Sequence, residues 1–328
     1  MVSREDLKSS LNIQYLHFHG PVGRAERSQN MTKTLEERQA HVNVILGEMK
    51  AGFHVEYAEN WKNNCIRTGY TLIADGEVDK KVCPLLYLPS DSNGSDESLA
   101  RFLVEKYKEI PRPRFEEAYT SRSYVVENIY PKVVSRKNLP DIKAQGLVYK
   151  EEMDMLVILY VDVEVPNEDA RGSINVKHSF LKMIDITAEA AFVLAFANLR
   201  KNVSAMSMEA ALFDLTGSSV PEDQKGSDLW VVTNTNRMQG AAAMYDEGTL
   251  AYLETIFSAP VIILPSSVHE FIACPFVPGV ELDHLLDIVK EINSSMVETE
   301  ELLTDNVYIY SKGILKEAFV ENSIAQLF

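Results

Sequence analysis

The chain has 328 residues, 46 % of them hydrophobic, and a formal charge of −16. That length favours two domains and can fill a sizeable core, while the lack of any apolar run of about 18 residues excludes a helical membrane span. The charge is uneven: residues 1–150 hold 22 Lys+Arg against 20 Asp+Glu, and residues 151–328 hold 10 against 28, so the acidic half repels a phosphate backbone and argues against direct nucleic-acid binding.

In chain order, MVSREDLKSS has no apolar run of signal-peptide type, which suits a cytoplasmic protein. Leu11–Phe18 has strand composition and sets His17 and His19 on one side, but no nearby Cys or carboxylate completes a metal set. Gly20–Asn30 reads as a loop and lacks the Lys and hydroxyl of a phosphate loop. Thr34, with Glu37 three residues on, caps a helix reaching Met49. Three extended runs follow at Phe53–Tyr57, Cys65–Ile73 and Val82–Leu88, separated by turn signals at Asn63-Asn64 and Asp75-Gly76. Ser95 or Asp96 then caps a helix carrying Leu99, Phe102, Leu103 and Tyr107. Pro111–Arg114 (PRPR) is stiff and marks a linker. The expected organisation is a unit over 1–110 and a second over 111–328.

The second unit is expected to begin with a helix over Phe115–Asn128 and to contain the most apolar strand, Met155–Val165, paired with Ser173–Val176. Asp185–Asn198 reads as a helix capped by Thr187. Leu229–Val232 and Val261–Leu264 are short β-branched runs, the marks of buried strands. Between them lie a polar turn over Thr233–Gly240, small residues over Gly240–Tyr245 taken as a strand, and a helix opened by Asp246 and Glu247. His269–Phe276 resumes extended structure after Pro265. Val280–Met296 is amphipathic, Asn306–Tyr310 is a strand, and Gly313–Phe328 is expected to be a short helix. The fold class that results is α+β, with mixed, mostly antiparallel sheets and helices packed on one face.

Three sets of residues invite a chemical reading. Ser266, Ser267, His269 and Glu270 hold the elements of a hydrolase: a hydroxyl, a base and an orienting carboxylate. Ser267 and His269 lie two apart, and no G-x-S-x-G elbow is present, so a backbone-shaping turn is the favoured role. Asn234, Asn236, Arg237 and Gln239 stand at a turn and offer a polar site, Arg237 for an anion. Asp154, Asp162, Glu164, Glu168 and Asp169 lack EF-hand spacing and read as solvated strand ends. Cys65, Cys83 and Cys274 are scattered with no CxxC, which argues against structural zinc and suits a reducing compartment. No metal and no cofactor are expected.

DLWVVTNTNRMQGAAAMYDEGTLAYLE, VIILPSSVHEFIACP and IVKEINSSMVETEELLTDNVYIY resemble the family filed as domain of unknown function 5688, whose members carry a "VLTN…GA…LPSSxHE" run. KHSFLKMIDITAEAAFVLAFANLRKN and MDMLVILYV are similar to further regions of it, and the likeness spans roughly residues 53–310. The resemblance implies a cytoplasmic protein of bacterial or mobile-element origin and brings no activity with it. From the acidic C-terminal half and the lack of a complete catalytic set, the function expected is a non-enzymatic, protein-binding or accessory factor with a basic protein partner. The alternatives are a hydrolase built on Ser267, His269 and Glu270, or an acidic inhibitor of a nucleic-acid-binding enzyme.

Overall fold

Thr34 forms the reciprocal cap its sequence calls for: its hydroxyl accepts the Glu37 N–H at 3.2 Å, and the Glu37 carboxylate accepts the Thr34 N–H at 2.8 Å. The computed structural model in which this is seen describes residues 13–15, 34–76, 85–88, 94–109, 117–164, 171–217 and 228–318. Pro111–Arg114, His17 and His19 lie outside the described residues. The chain divides into two compact units, Met1–Ser121 with Asp162–Ile174 and Arg122–Val161 with Asn175–Phe328.

In the first unit the Thr34 cap opens α1 (Leu35–Glu48). Strands β1 (Phe53–Lys62) and β2 (Cys65–Ala74) form an antiparallel hairpin, turned by Asn64 at φ 62°, and β3 (Leu85–Tyr87) adds to β2. Helix α2 (Asp96–Glu109) joins α1 over the sheet, and Val42, Leu46, Val55, Tyr70, Leu72, Ala100 and Leu103 fill the space between. Buried Tyr70 donates its hydroxyl to the Leu35 carbonyl at 2.6 Å; burial pushes that phenol up to about 12. Residues 13–15 pair antiparallel with 172–174.

A 3-10 turn ends the first unit's opening segment, just before the second unit starts at Arg122. Residues 117–120 form that turn, and only Arg122–Asn128 is helix (α3), so the single helix expected over 115–128 is broken at Ser121. Strand β4 (Ile129–Ser135), helix α4 (Leu139–Gln145) and strand β5 (Tyr149–Glu152) lead to β6 (Met155–Glu164), which pairs antiparallel with both β4 and β5. Leu156, Ile158 and Leu159 of β6 are fully buried, which is why the run is so apolar. After α5 (His178–Met183), Thr187 caps α6 (Ala188–Asn202) by accepting the Ala190 N–H. Asn198 of α6 donates to the Val126 and Ile129 carbonyls, fixing the helix to the start of β4.

The remainder builds a second sheet. Its strands are β7 (Val203–Ser207), β8 (Trp230–Asn234), β9 (Val261–Leu264), β10 (Phe271–Pro275), β11 (Tyr308–Ser311) and β12 (Ile314–Glu317). They run in the order β12-β11-β9-β10-β8-β7, every pair antiparallel. Helix α7 (Met208–Thr216) lies between β7 and β8, α8 (Glu247–Phe257) before β9, and α9 (Leu282–Ser295) after β10. Leu282, Leu285, Leu286 and Val289 of α9 pack on Ile262 and Ile309. The fold is thus α+β, built from antiparallel sheets with helices laid against them. Among the described residues, no helix is long and apolar enough to cross a membrane.

Two further expectations are corrected. Gly240–Tyr245 is a buried 3-10 helix, not a strand. Gln239 turns left-handed at φ 58° and sends the chain inward, so β8 pairs with β10 and β7 instead of folding back on GAAAMY. Residues 314–317, expected in a helix, form β12, because Lys312 (φ 50°) and Gly313 (φ 82°) make the two-residue left-handed turn of a hairpin with β11.

Candidate functional site

Pro265 ends β9, and the next five residues fold into a corner that hydrogen-bonds itself. The Ser267 hydroxyl, only 6 % exposed as a residue, donates to the Glu270 carboxylate at 2.7 Å and accepts the His269 N–H at 2.9 Å. Ser266 donates to the Glu270 carbonyl and carboxylate, both at 3.2 Å, and the Ser267 N–H reaches the Glu270 carbonyl at 3.3 Å. Ser267 and Glu270 are therefore brought together, while the Ser267 hydroxyl meets His269 through its backbone and not its ring. A hydroxyl that accepts from the main chain two residues on is a turn-forming device.

His269 is held from three sides. Its carbonyl accepts the Thr233 hydroxyl at 2.8 Å and the Gly240 N–H at 3.0 Å. Its Nδ1 accepts the Gln239 N–H at 3.3 Å, which places the ring proton on Nε2, 3.5 Å from the Glu301 carboxylate. The neighbouring Val268 N–H donates to the Glu301 carbonyl at 3.0 Å. The imidazole nitrogen that would serve as a base toward Ser267 is thus turned to the backbone of the 239–240 turn. Gly240 is required by this closeness: a Cβ there would stand 2.5 Å from the Thr233 hydroxyl and 2.7 Å from the His269 carbonyl.

The turn that receives His269 is shaped by Asn234. Its side-chain carbonyl accepts the Asn236 and Met238 N–H groups and its amide donates to the Met238 carbonyl at 2.6 Å. Arg237, exposed and left-handed at φ 53°, pairs with Asp214 of α7 at 3.1 Å. Gln239 contributes its backbone to His269 and stands half-buried. Asn234 and Gln239 thus build the turn, and Arg237 alone of the set projects a charge outward.

The LPSSVHE corner and the VTN turn beneath it are therefore one unit, and they are the blocks that carry the sequence likeness. A family model described as a family of unknown function (DUF5688) matches residues 36–312. The chain belongs to that family. No curated protein and no solved structure matches it.

Two further clusters in this DUF5688 chain were not legible in the sequence as sites. Asp154, at the tip of the β5–β6 hairpin, accepts from the Tyr308 hydroxyl, the Thr304 hydroxyl and, at 2.9 Å, the Asn306 amide. It is a half-buried anchor and not the solvated strand end expected, because it is engaged by partners 150 residues downstream. Burial, then the bond to Asp154, raises the Tyr308 phenol far above its ordinary range; burial, then the Asp154 charge, raises Glu317. Asn293 of α9 closes the same loop, donating to the Thr304 carbonyl and the Asp305 carboxylate. The second cluster is Asp246, 1 % exposed, which caps α8 through the Thr249 N–H and hydroxyl and takes the Arg200 guanidinium at 2.6 Å. In both clusters each carboxylate oxygen is already engaged by the chain's own donors. Among the described residues, no group of three or more His, Cys, Asp or Glu side chains is arranged to hold a metal ion.

Proposed function

We propose that this DUF5688 protein is a non-enzymatic, cytoplasmic binding factor whose partner is a basic protein. The observation that carries the reading is the outward side of α9. Glu281, Asp283, Asp287 and Glu291 are exposed there, with Lys290 as the single cation. Ile288, Ile292 and Met296 run beside them at helical spacing, and Ile292 and Met296 are 43 % and 80 % exposed. An apolar ridge bordered by carboxylates suits an amphipathic segment whose polar side is Lys and Arg.

The hydrolase alternative has less support. Its hydroxyl donates to Glu270 and its histidine accepts from the main chain, so no base is aligned on Ser267. The inhibitor alternative uses the same acidic ridge and differs in the partner's identity.

The test is capture from a bacterial lysate on immobilised full-length protein at low and high salt, with Asp283→Lys/Asp287→Lys/Glu291→Lys alongside. Basic proteins retained at low salt, released at high salt and lost with the triple variant are expected. Retention that ignores both changes would sink the reading, and a captured nuclease or polymerase would select the inhibitor form of it.

A further inference from the structure

Strand β7 closes one end of the six-stranded sheet, and its ladder runs to β8 alone, from Val203↔Asn234 to Ser207↔Trp230. The Thr235 N–H donates to the Asn202 carbonyl and the Met208 N–H to the Leu229 carbonyl, both at 2.8 Å. In an antiparallel pair such bonds alternate along the strand. Residues 204 and 206 therefore face β8, and both backbone groups of Ala205, the Val203 carbonyl and the Ser207 N–H point the other way, the Ser207 carbonyl being taken by the first turn of α7. Among the described residues no strand takes up this edge. It carries none of the usual defences: VSAMS has no charge and no proline, its register is unbroken, and all of its residues are half-exposed.

We infer that β7 pairs with β7 of a second copy of this chain, antiparallel about a two-fold axis at Ala205. The edge is complementary to itself. Ala205 exchanges both bonds with its counterpart, and each Ser207 N–H meets the other copy's Val203 carbonyl, so every outward group finds a partner. The charges agree with the same axis. Lys201, in the last turn of α6, and Glu209, in the first turn of α7, stand four residues either side of Ala205, so the axis brings the basic flank of each strand toward the acidic flank of the other. Helix α7, which leaves directly from Ser207, has no buried residue, and Leu212, Phe213 and Leu215 are 38 %, 55 % and 69 % exposed. That is apolar surface which a single copy leaves in water at this end of the sheet. The short edge makes a weak dimer, of roughly micromolar affinity.

Sedimentation of the full chain over a concentration series tests this. The mass is expected to rise from that of one 36.9 kDa chain toward twice that value. Ala205→Pro removes one outward N–H and leaves the ladder to β8 intact; it is expected to weaken the dimer by about tenfold or more with an unchanged circular-dichroism spectrum. Lys201→Glu and Glu209→Lys each weaken it, and the double variant, which exchanges the charges, restores it. The charge exchange decides the matter even if the proline variant folds poorly. A monomer at every concentration, a dimer indifferent to a folded Ala205→Pro protein, or a double variant no better than the singles overturns the inference.

Discussion

The outer edges of β1 and β7 face the same physical problem and meet it differently. On β1 the side chains of α1 occupy the edge. Asn43 donates to the Val55 carbonyl at 2.9 Å and accepts its N–H at 2.8 Å, and Gln39 accepts the Tyr57 N–H at 2.7 Å. Two helical amides thereby imitate a neighbouring strand. On β7 no such amide is at hand among the described residues, and the edge remains available. The second unit instead draws cohesion from carboxylates, half-buried Asp154 and buried Asp246, that tie distant segments together. The lesson is that an edge can be silenced by residues close by in sequence, and that where none is supplied the edge becomes a surface with a use.

The comparison is broken most severely at the carboxylate. Asp154→Ala strips the acceptor from Tyr308, Thr304 and Asn306 at once and leaves buried donors unpaired. A loss of about 3–5 kcal/mol is expected, read as the fall in urea midpoint of the full chain. The first unit is more tolerant. Asn43→Ala removes a bidentate contact and should cost about 2 kcal/mol. It should also bare β1, so that self-association appears in a variant whose own β7 edge is blocked by Ala205→Pro; absence of any added association would mean that the amides contribute to stability and not to edge protection.

The smallest effect separates the units by sign. Burial alone would raise Asp96, but hydrogen bonds from His41 and Arg38, at 2.7 Å and 2.6 Å, outweigh it and hold the carboxyl below its ordinary value. Its contribution is present above the unfolded-state value near 3.8 and is lost as pH falls through the lower, folded value. Glu317 is raised from 4.5 by burial and the Asp154 charge, so its contribution is present below that value and is lost as pH rises through the folded one. Urea midpoints between about pH 3 and pH 7 should therefore show Asp96→Asn less stable than the parent at neutral pH and Glu317→Gln more stable, with both differences closing on acidification. A shared sign for the two variants would refute the assignment.

Much of the first unit could be read from its residues because its determinants are local. Thr34 and Glu37 are three apart, the Asn63-Asn64 turn joins adjacent strands, and Leu99 and Leu103 share a helix face. The second unit resists such reading where partners are remote. Nothing around Asp154 announces Tyr308, and nothing in GAAAMY says whether small residues admit a neighbouring strand or, as here, allow a tight helix to sit against the His269 carbonyl. Strand β7 and helix α7 passed without a signal, since VSAMS is short and MEAALFDLT buries nothing. The two-residue spacing of Ser267 and His269 left a turn as the favoured role, and in the corner a backbone N–H does reach the Ser267 hydroxyl. The Lys312-Gly313 turn was the missed local cue for β12.

The Asp154 cluster also bears on biosynthesis. As the polypeptide leaves the ribosome, the β5–β6 hairpin emerges long before Thr304, Asn306 and Tyr308 are made. Until then its carboxylate is hydrated, so the hairpin waits with a water-bound tip while the 150 residues up to Thr304 are translated. Closure of the second unit is thereby deferred until residues 304–308 are made, and a nascent chain stalled before residue 304 should be as open to protease at Met153 as an unfolded one.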